Sequence, residues 1–173
     1  MKMKISLTAK TGFLAALFAF VSFASFAQDE KPSPAKTAEG TINGAKIKVD
    51  YSSPAVKGRV IWGDLVPLGQ VWRAGANDAT TFEISKDIKV QGQALPKGKY
   101  TFFIIPGEQE STLIFNKVEK QWGAYSYDAS KDALRVNVPS QQTSTLEERL
   151  VYEIKSDGFE VRWEYGKVFA KVE

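Results

Sequence analysis

The chain has 173 residues, with 23 Lys or Arg against 20 Asp or Glu, a formal charge of +3, and neither histidine nor cysteine. Those absences exclude the usual tetrahedral zinc site, blue-copper and His- or Cys-ligated haem centres, iron–sulfur clusters and disulfides. They also exclude a Ser-His-Asp triad and a Cys-His dyad.

The surplus of base belongs to the N-terminus. Lys2, Lys4 and Lys10 lead into an apolar run from Gly12 to Phe26 that closes in Ser25-Phe26-Ala27, the layout of a secretory signal peptide with a small-x-small cleavage pattern. Fifteen residues span about 22 Å as a helix, short of the roughly 30 Å hydrocarbon core. Residues 1–27 are therefore expected to be a cleaved signal and not an anchor, and the protein to be exported, periplasmic or secreted after cleavage near Ala27. Taking the three lysines from 23 bases leaves 20, matched by the 20 acids, and both methionines leave with them. A charge-balanced chain gives nucleic acid or an anionic membrane no electrostatic footing, so neither is an expected partner. No cofactor or metal is expected, and no membrane anchor after cleavage.

Gln28 to Ala38, QDEKPSPAKTA, is polar and carries Pro32 and Pro34, which reads as a flexible polar linker over residues 28–38. Residues 39–173 then form one domain long enough to bury a core. Asn43-Gly44 is type I′ turn chemistry joining a strand that ends near Ile42 to one through Ile47, Val49 and Tyr51. In that second strand Lys46, Lys48 and Asp50 alternate with the apolar set, so one face is wet. Further strands are expected over 80–85, 88–90, 99–105, 112–116, 134–138, 146–155, 159–165 and 168–172, separated by turn pairs such as Gln91-Gly92 and Asp157-Gly158. The expectation is an all-β fold, an antiparallel β-sandwich of roughly nine or ten strands.

The exception to this grammar is a long Trp- and Arg-rich connecting loop between Ser52 and Ala79, with a single helical turn expected near Asp64 to Val66. Its apolar content argues for order, and connections of this length are usually functional or disordered. Within it, Trp72-Arg73-Ala74-Gly75-Ala76-Asn77-Asp78 offers a flat apolar surface, a five-donor fork, an amide and a carboxylate. The same residues would also serve as a core plug with a loop-bracing arginine. A second cluster, Gln121-Trp122-Gly123-Ala124-Tyr125-Ser126-Tyr127, places aromatic faces with polar tips, suited to carbohydrate or peptide contact or to edge packing. Asp128, Ser130 and Asp132 lack the glycine and bidentate glutamate of a calcium loop and read as turn-and-cap chemistry.

These residues resemble a known family. Tyr51-Ser52-Ser53-Pro54-x-Val56-Lys57-Gly58-Arg59, Trp62-Gly63-x-Leu65-Val66-Pro67-x-Gly69-x-Val71-Trp72-Arg73-x-Gly75-Ala76-Asn77-x-Ala79-Thr80, Leu95-Pro96-x-Gly98-x-Tyr100, Phe115-Asn116 and Gln121-Trp122-Gly123-x-Tyr125-x-Tyr127 are similar to the domain of unknown function numbered 2911, found in exported bacterial proteins. The likeness runs from about Ala38 to Glu173, with Ala74 where the family frequently carries Thr. It implies a small exported domain with no established activity, whose signatures fall on the two loops singled out by their chemistry.

Three functions follow as expectations. In the first, a non-enzymatic envelope module binds a small polar ligand such as a saccharide, a peptidoglycan fragment or a carboxylated metabolite. Trp72, Arg73 and Asn77 stand at its centre, with Tyr51, Arg59, Trp122, Tyr125 and Tyr127 around them. The second is a carboxylate-dependent, glycosidase-like hydrolase drawing on Asp64, Asp78 or Glu83. The third is a scaffold or assembly protein that uses the tryptophan loop as its interface.

Overall fold

The computed structural model describes residues 32–173, so the expected signal peptide, residues 1–27, and the first residues of the expected linker lie outside the described residues. The described chain is nearly all β: β1 (Ala35–Ile42), β2 (Ala45–Ser52), β3 (Thr81–Ile84), β4 (Ile88–Val90), β5 (Gln93–Leu95), β6 (Gly98–Ile105), β7 (Glu110–Asn116), β8 (Asp132–Pro139), β9 (Gln141–Ile154) and β10 (Gly158–Lys171). One 3-10 turn, Ala129–Lys131, is capped by the Asp128 carboxylate, which accepts from Ser130 N. β1 begins inside the span expected as linker: Ala35–Ala38 pair in register with Val49–Ser52. Gln93–Leu95 was not anticipated as a strand. It forms a hairpin with β4 across Gln91 and Gly92, both at positive φ, as a type I′ turn requires.

Six strands make one antiparallel sheet in the order β1-β2-β3-β6-β7-β8. β9 and β10 pair in a second layer. The 14 residues of β10 fold back on themselves around Glu164–Gly166: Val172 N donates to Asp157 O, and the Ala170 carbonyl lies against Gly158. The returning arm then pairs with β4 through reciprocal bonds between Lys89 and Glu173. The second layer therefore runs β9, the two arms of β10, β4 and β5.

Alternation sets the core. Ala45, Ile47, Val49 and Tyr51 of β2 point inward, and the ladder carries that face through Phe82, Tyr100, Phe102 and Phe115. Phe159 from the second layer closes on them, its ring 4.9 Å from Phe82. Each such ring contributes about 1.5–3 kcal/mol through burial. Phe103 and Ile114 point the other way yet are also fully buried, because the connection between β7 and β8 folds back over the outer face of the six-stranded sheet.

The registers put the exit of β2, the β6–β7 turn and the β8–β9 junction at one end of the sandwich. The long connection from Ser53 to Thr80 packs there. Ala55 bridges Arg149 on the edge of β9, and Trp72 bridges Ile104 on β6 beyond the end of β3. The helical turn expected near Asp64 is absent. Leu65 N donates to Val60 O and Val66 N to Ile61 O, five residues back in each case.

Glu160 on β10 is buried and meets Arg162, Lys155 at 3.1 Å and Lys167 at 3.8 Å, while Arg162 also holds Glu153 at 2.7 Å and Glu147 at 3.3 Å. Burial pushes the Glu160 carboxyl up, but hydrogen bonds from Arg162 and Lys155 outweigh it and hold the group below the usual carboxylate range. A carboxyl depressed on folding contributes stability above its unfolded value and loses it as pH falls. Glu160→Gln should therefore cost about 1–3 kcal/mol at neutral pH, and the difference should shrink as denaturant melts are taken below about pH 4.5. A cost independent of pH would show that the charge is not what matters. Gly158→Ala would drive a Cβ into the Ala170 carbonyl and the Phe169 ring. Since a backbone carbonyl cannot swing away, the same melts should show a loss of about 1–3 kcal/mol.

Candidate functional site

Three tryptophans meet where the long connection docks between the sheets. Trp72 stacks on Trp163 with ring centroids 5.8 Å apart and planes 16° from parallel. Trp62 stands edge-on to both, at 5.7 Å and 6.1 Å. Trp163 comes from β10 just before its bend. There the ladder with β9 slips register on both sides of Glu164, which sits at φ 54. That bulge receives the loop: Trp62 Nε1 donates to Trp163 O, Glu164 Oε1 accepts from Ile61 N, and Trp62 lies so close over Gly166 that a Cβ there would be 2.5 Å from Nε1.

The turn after Trp72 is built to keep this packing. Trp72 Nε1 donates to Gly75 O. Ala74 is fully buried in the left-handed region at φ 53, a conformation costing about 1–2 kcal/mol outside glycine. Its carbonyl is held there by Thr80 Oγ1 at 2.9 Å and the Tyr152 hydroxyl at 2.6 Å. A Cβ on Gly75 would meet Thr80 Oγ1 at 2.9 Å and Ser52 O at 3.1 Å, so glycine is required. This leaves Arg73 at the wall of a cleft of about 360 Å³ on one side of the stack. Upstream, Lys57 and Gly58 both have positive φ, and Arg59 N returns to Val56 O, a tight turn that puts Lys57 and Arg59 on the same cleft. Arg59 is anchored through Nε to Val56 O and through Nη2 to Ala55 O.

Arg73 differs from Arg59. Its Nε is buried and has no hydrogen-bond partner among the described residues. The cleft lining contains three cations, Lys57, Arg59 and Arg73, and no carboxylate, with Leu65, Val66 and the tryptophan pair as its apolar part. A second cleft of about 400 Å³ lies between the sheets, where Trp62, Trp72 and Trp163 form one wall and Ser111, Gln142 and Lys167 stand among its polar residues.

The remaining candidates fall elsewhere. Tyr51 is a core residue, 4.6 Å from Tyr152, with its hydroxyl accepting from Tyr152 N. Asn77 is exposed, left-handed at φ 59, and bonds to Ser52 Oγ. Trp122 and Tyr125 are exposed on the connection that crosses the outer face of the sheet, and neither lines the two clefts. The two loops touch through the Asp78–Trp122 bridge and the Ala79 N to Gln121 O bond, outside the sandwich and not around one concavity. Tyr127 braces this connection: its ring packs 5.1 Å from Phe103 and its hydroxyl donates to Asp132 at 2.6 Å. Burial and that hydrogen bond push its phenol up to about 12. Asn116 is the hub, accepting from Val118 N and Gln121 Nε2 and donating to Asp128 O and Asp132.

Among the hydrolase candidates, Glu83 lies on the wet face between Lys48 and Lys99, Asp64 is exposed in a turn and Asp78 exposed at its bridge to Trp122, and none lines either cleft. No cluster of three or more metal-ligating side chains occurs among the described residues. No helix among them is long and apolar enough to cross a membrane. Sequence reasoning gave Lys57, Trp62, Trp163 and Lys167 no role. Lys57 and Trp62 were legible as parts of the unusual loop, whereas Trp163 and Lys167 sit in an ordinary strand pattern a hundred residues away.

No curated protein and no solved structure matches the chain. A family model does match, over residues 33–172, which is the whole sandwich from just before β1 to the last pairing of the C-terminal arm. The chain therefore belongs to the DUF2911 family, described as a protein of unknown function.

Proposed function

We propose that the protein is an exported, non-enzymatic module that binds a small carboxylated ligand, such as an acidic sugar or a carboxylated metabolite, in the cleft walled by Trp72 and Arg73. The observation that carries this reading is the lining of the cleft, where Arg73 stands with Lys57 and Arg59 and no acid. A carboxylate would pair with these cations, and a guanidinium favours it in fork geometry. Trp72, Leu65 and Val66 offer the ligand body an apolar surface. Export rests on the N-terminal pattern of Lys2, Lys4 and Lys10 before the Gly12 to Phe26 run. Trp122, Tyr125, Tyr127, Tyr51 and Asn77 are not needed by this site.

Titration with citrate, succinate and glucuronate, followed by tryptophan fluorescence and calorimetry, tests it. At least one should bind saturably and more weakly as salt is raised. Arg73→Ala should lower affinity tenfold or more with little change in melting temperature, and Arg73→Lys should fall between, since a point charge replaces the fork. Trp72→Ala is the contrasting variant: it removes a buried ring and should cost about 3–5 kcal/mol of stability whatever its effect on binding. Absence of saturable binding by all three acids, or equal binding in Arg73→Ala, would overturn the reading.

A further inference from the structure

The larger cleft, on the other side of the tryptophan stack, carries an inference of its own. Its walls are Trp62, Trp163, Ile104, Val161 and Val168, with Leu68 half-exposed at the mouth. Its two serines look like ligand donors or a nucleophile, but their protons are spoken for. Ser140 Oγ donates to Gly107 O at 2.7 Å. The 2.8 Å contact between the two hydroxyls must then be Ser111 donating to Ser140, because a serine has one proton. Gly107 N donates in turn to Ser111 Oγ at 3.4 Å, closing the ring. With both hydroxyl protons held in this circuit, the serines offer a ligand no free donor, and the cleft's tryptophan, isoleucine and valine walls are suited to an apolar body.

The charged groups at this cleft are Lys167 and Glu108. Glu108 is exposed on the turn between β6 and β7. Lys167 is the outermost of the three cations around Glu160, at 3.8 Å against 3.1 Å for Lys155, and Arg162 is closer still. Glu160 is therefore satisfied without Lys167, whose ammonium is the one cation at the cleft able to meet an anionic head. Trp163 adds a buried Nε1 donor with no partner among the described residues.

We propose that this cleft is a second binding site, for a single-headed amphiphilic carboxylate: the apolar body lies against the tryptophan and valine walls and the carboxylate pairs with Lys167. It differs from the Arg73 site in ligand shape and in the face of the stack it uses, and it stands whether or not that site binds anything.

Decanoate and decanol share a body and differ in the head, which makes them the probes. Calorimetry and tryptophan fluorescence on the folded domain should give saturable binding of decanoate below its micellar concentration. Lys167→Met should weaken decanoate tenfold or more and change decanol less than twofold. Leu68→Asp, at a half-exposed position where the fold tolerates a charge, should weaken both. Arg73→Ala should leave decanoate unchanged. The inference is overturned by absence of saturable decanoate binding, by full retention in Leu68→Asp, or by Lys167→Met affecting the alcohol as much as the acid. Loss of decanoate in Arg73→Ala but not in Lys167→Met would also overturn it, while leaving the Arg73 site standing.

Discussion

The stack of Trp72 on Trp163 joins the two parts of the molecule that neither sheet could hold together alone. One ring belongs to a connection without regular structure and the other to a strand of the second layer. Beside that contact the 53–80 connection is held by the bridges to Ile104 and Arg149, by the bonds of Ile61 N and Trp62 Nε1 to Glu164 and Trp163, and by the burial of Val56, Ile61 and Val66. With the stack, the connection becomes the lid of the sandwich, and the space on either side of the rings becomes two separate clefts. Burying two indoles in register contributes several times what the bridging hydrogen bonds add, so the stack decides where the loop goes and the bonds refine how it lies.

The price of that packing appears as local irregularity in both partners. β10 breaks its ladder with β9 at Glu164, in a left-handed conformation, so that Trp62 can settle over Gly166. The loop turns through a buried left-handed Ala74 whose carbonyl is clamped by Thr80 and Tyr152. Such strain persists only where surrounding contacts over-determine it. Here the same turn that is strained leaves Arg73 on a cleft wall with an unanswered donor. The polar groups at this end of the molecule thus fall into two kinds. Some, like the Ser111–Ser140 ring and the Nε of Arg59, are used by the protein. Others, namely Arg73, Lys167 and the Trp163 indole N–H, are not fully matched. The two proposed sites draw on the second kind, groups whose pairing the fold leaves incomplete.

In the second signature, around Gln121 to Tyr127, Gln121 and Tyr127 brace the fold while Trp122 and Tyr125 stand exposed. Asn116, Tyr127 and Asp132 knot the β7–β8 connection, and Tyr127 and Ala124 cover Phe103 and Ile114 on what would otherwise be a bare face. Its aromatics suggested a place beside the tryptophan loop, and the backbone does bring the loops together at Asp78 and Trp122. The side chains of Trp72 and Tyr127, however, lie on opposite faces of the six-stranded sheet: Trp72 packs in the main core and Tyr127 in the outer cluster. Residue type alone could not separate these, because an aromatic with a polar tip suits either role.

What the sequence determined by itself was what local periodicity and turn chemistry control. Asn43-Gly44 fixed the first hairpin, the alternation through Ile47, Val49 and Tyr51 fixed which face of β2 is buried, and most later strands stand within a few residues of their expected bounds. The composition likewise limited any site to guanidinium, ammonium, amide, hydroxyl, carboxylate and aromatic groups. Tertiary structure alone decided that β1 takes in Ala35–Ala38, that the returning arm of β10 pairs with β4, and that Trp163 and Lys167 line the same cleft as Trp62 and Trp72. Each of these depends on pairing between segments far apart in the chain. The free energy of such contacts comes from surface buried jointly, which neither segment carries in its own pattern.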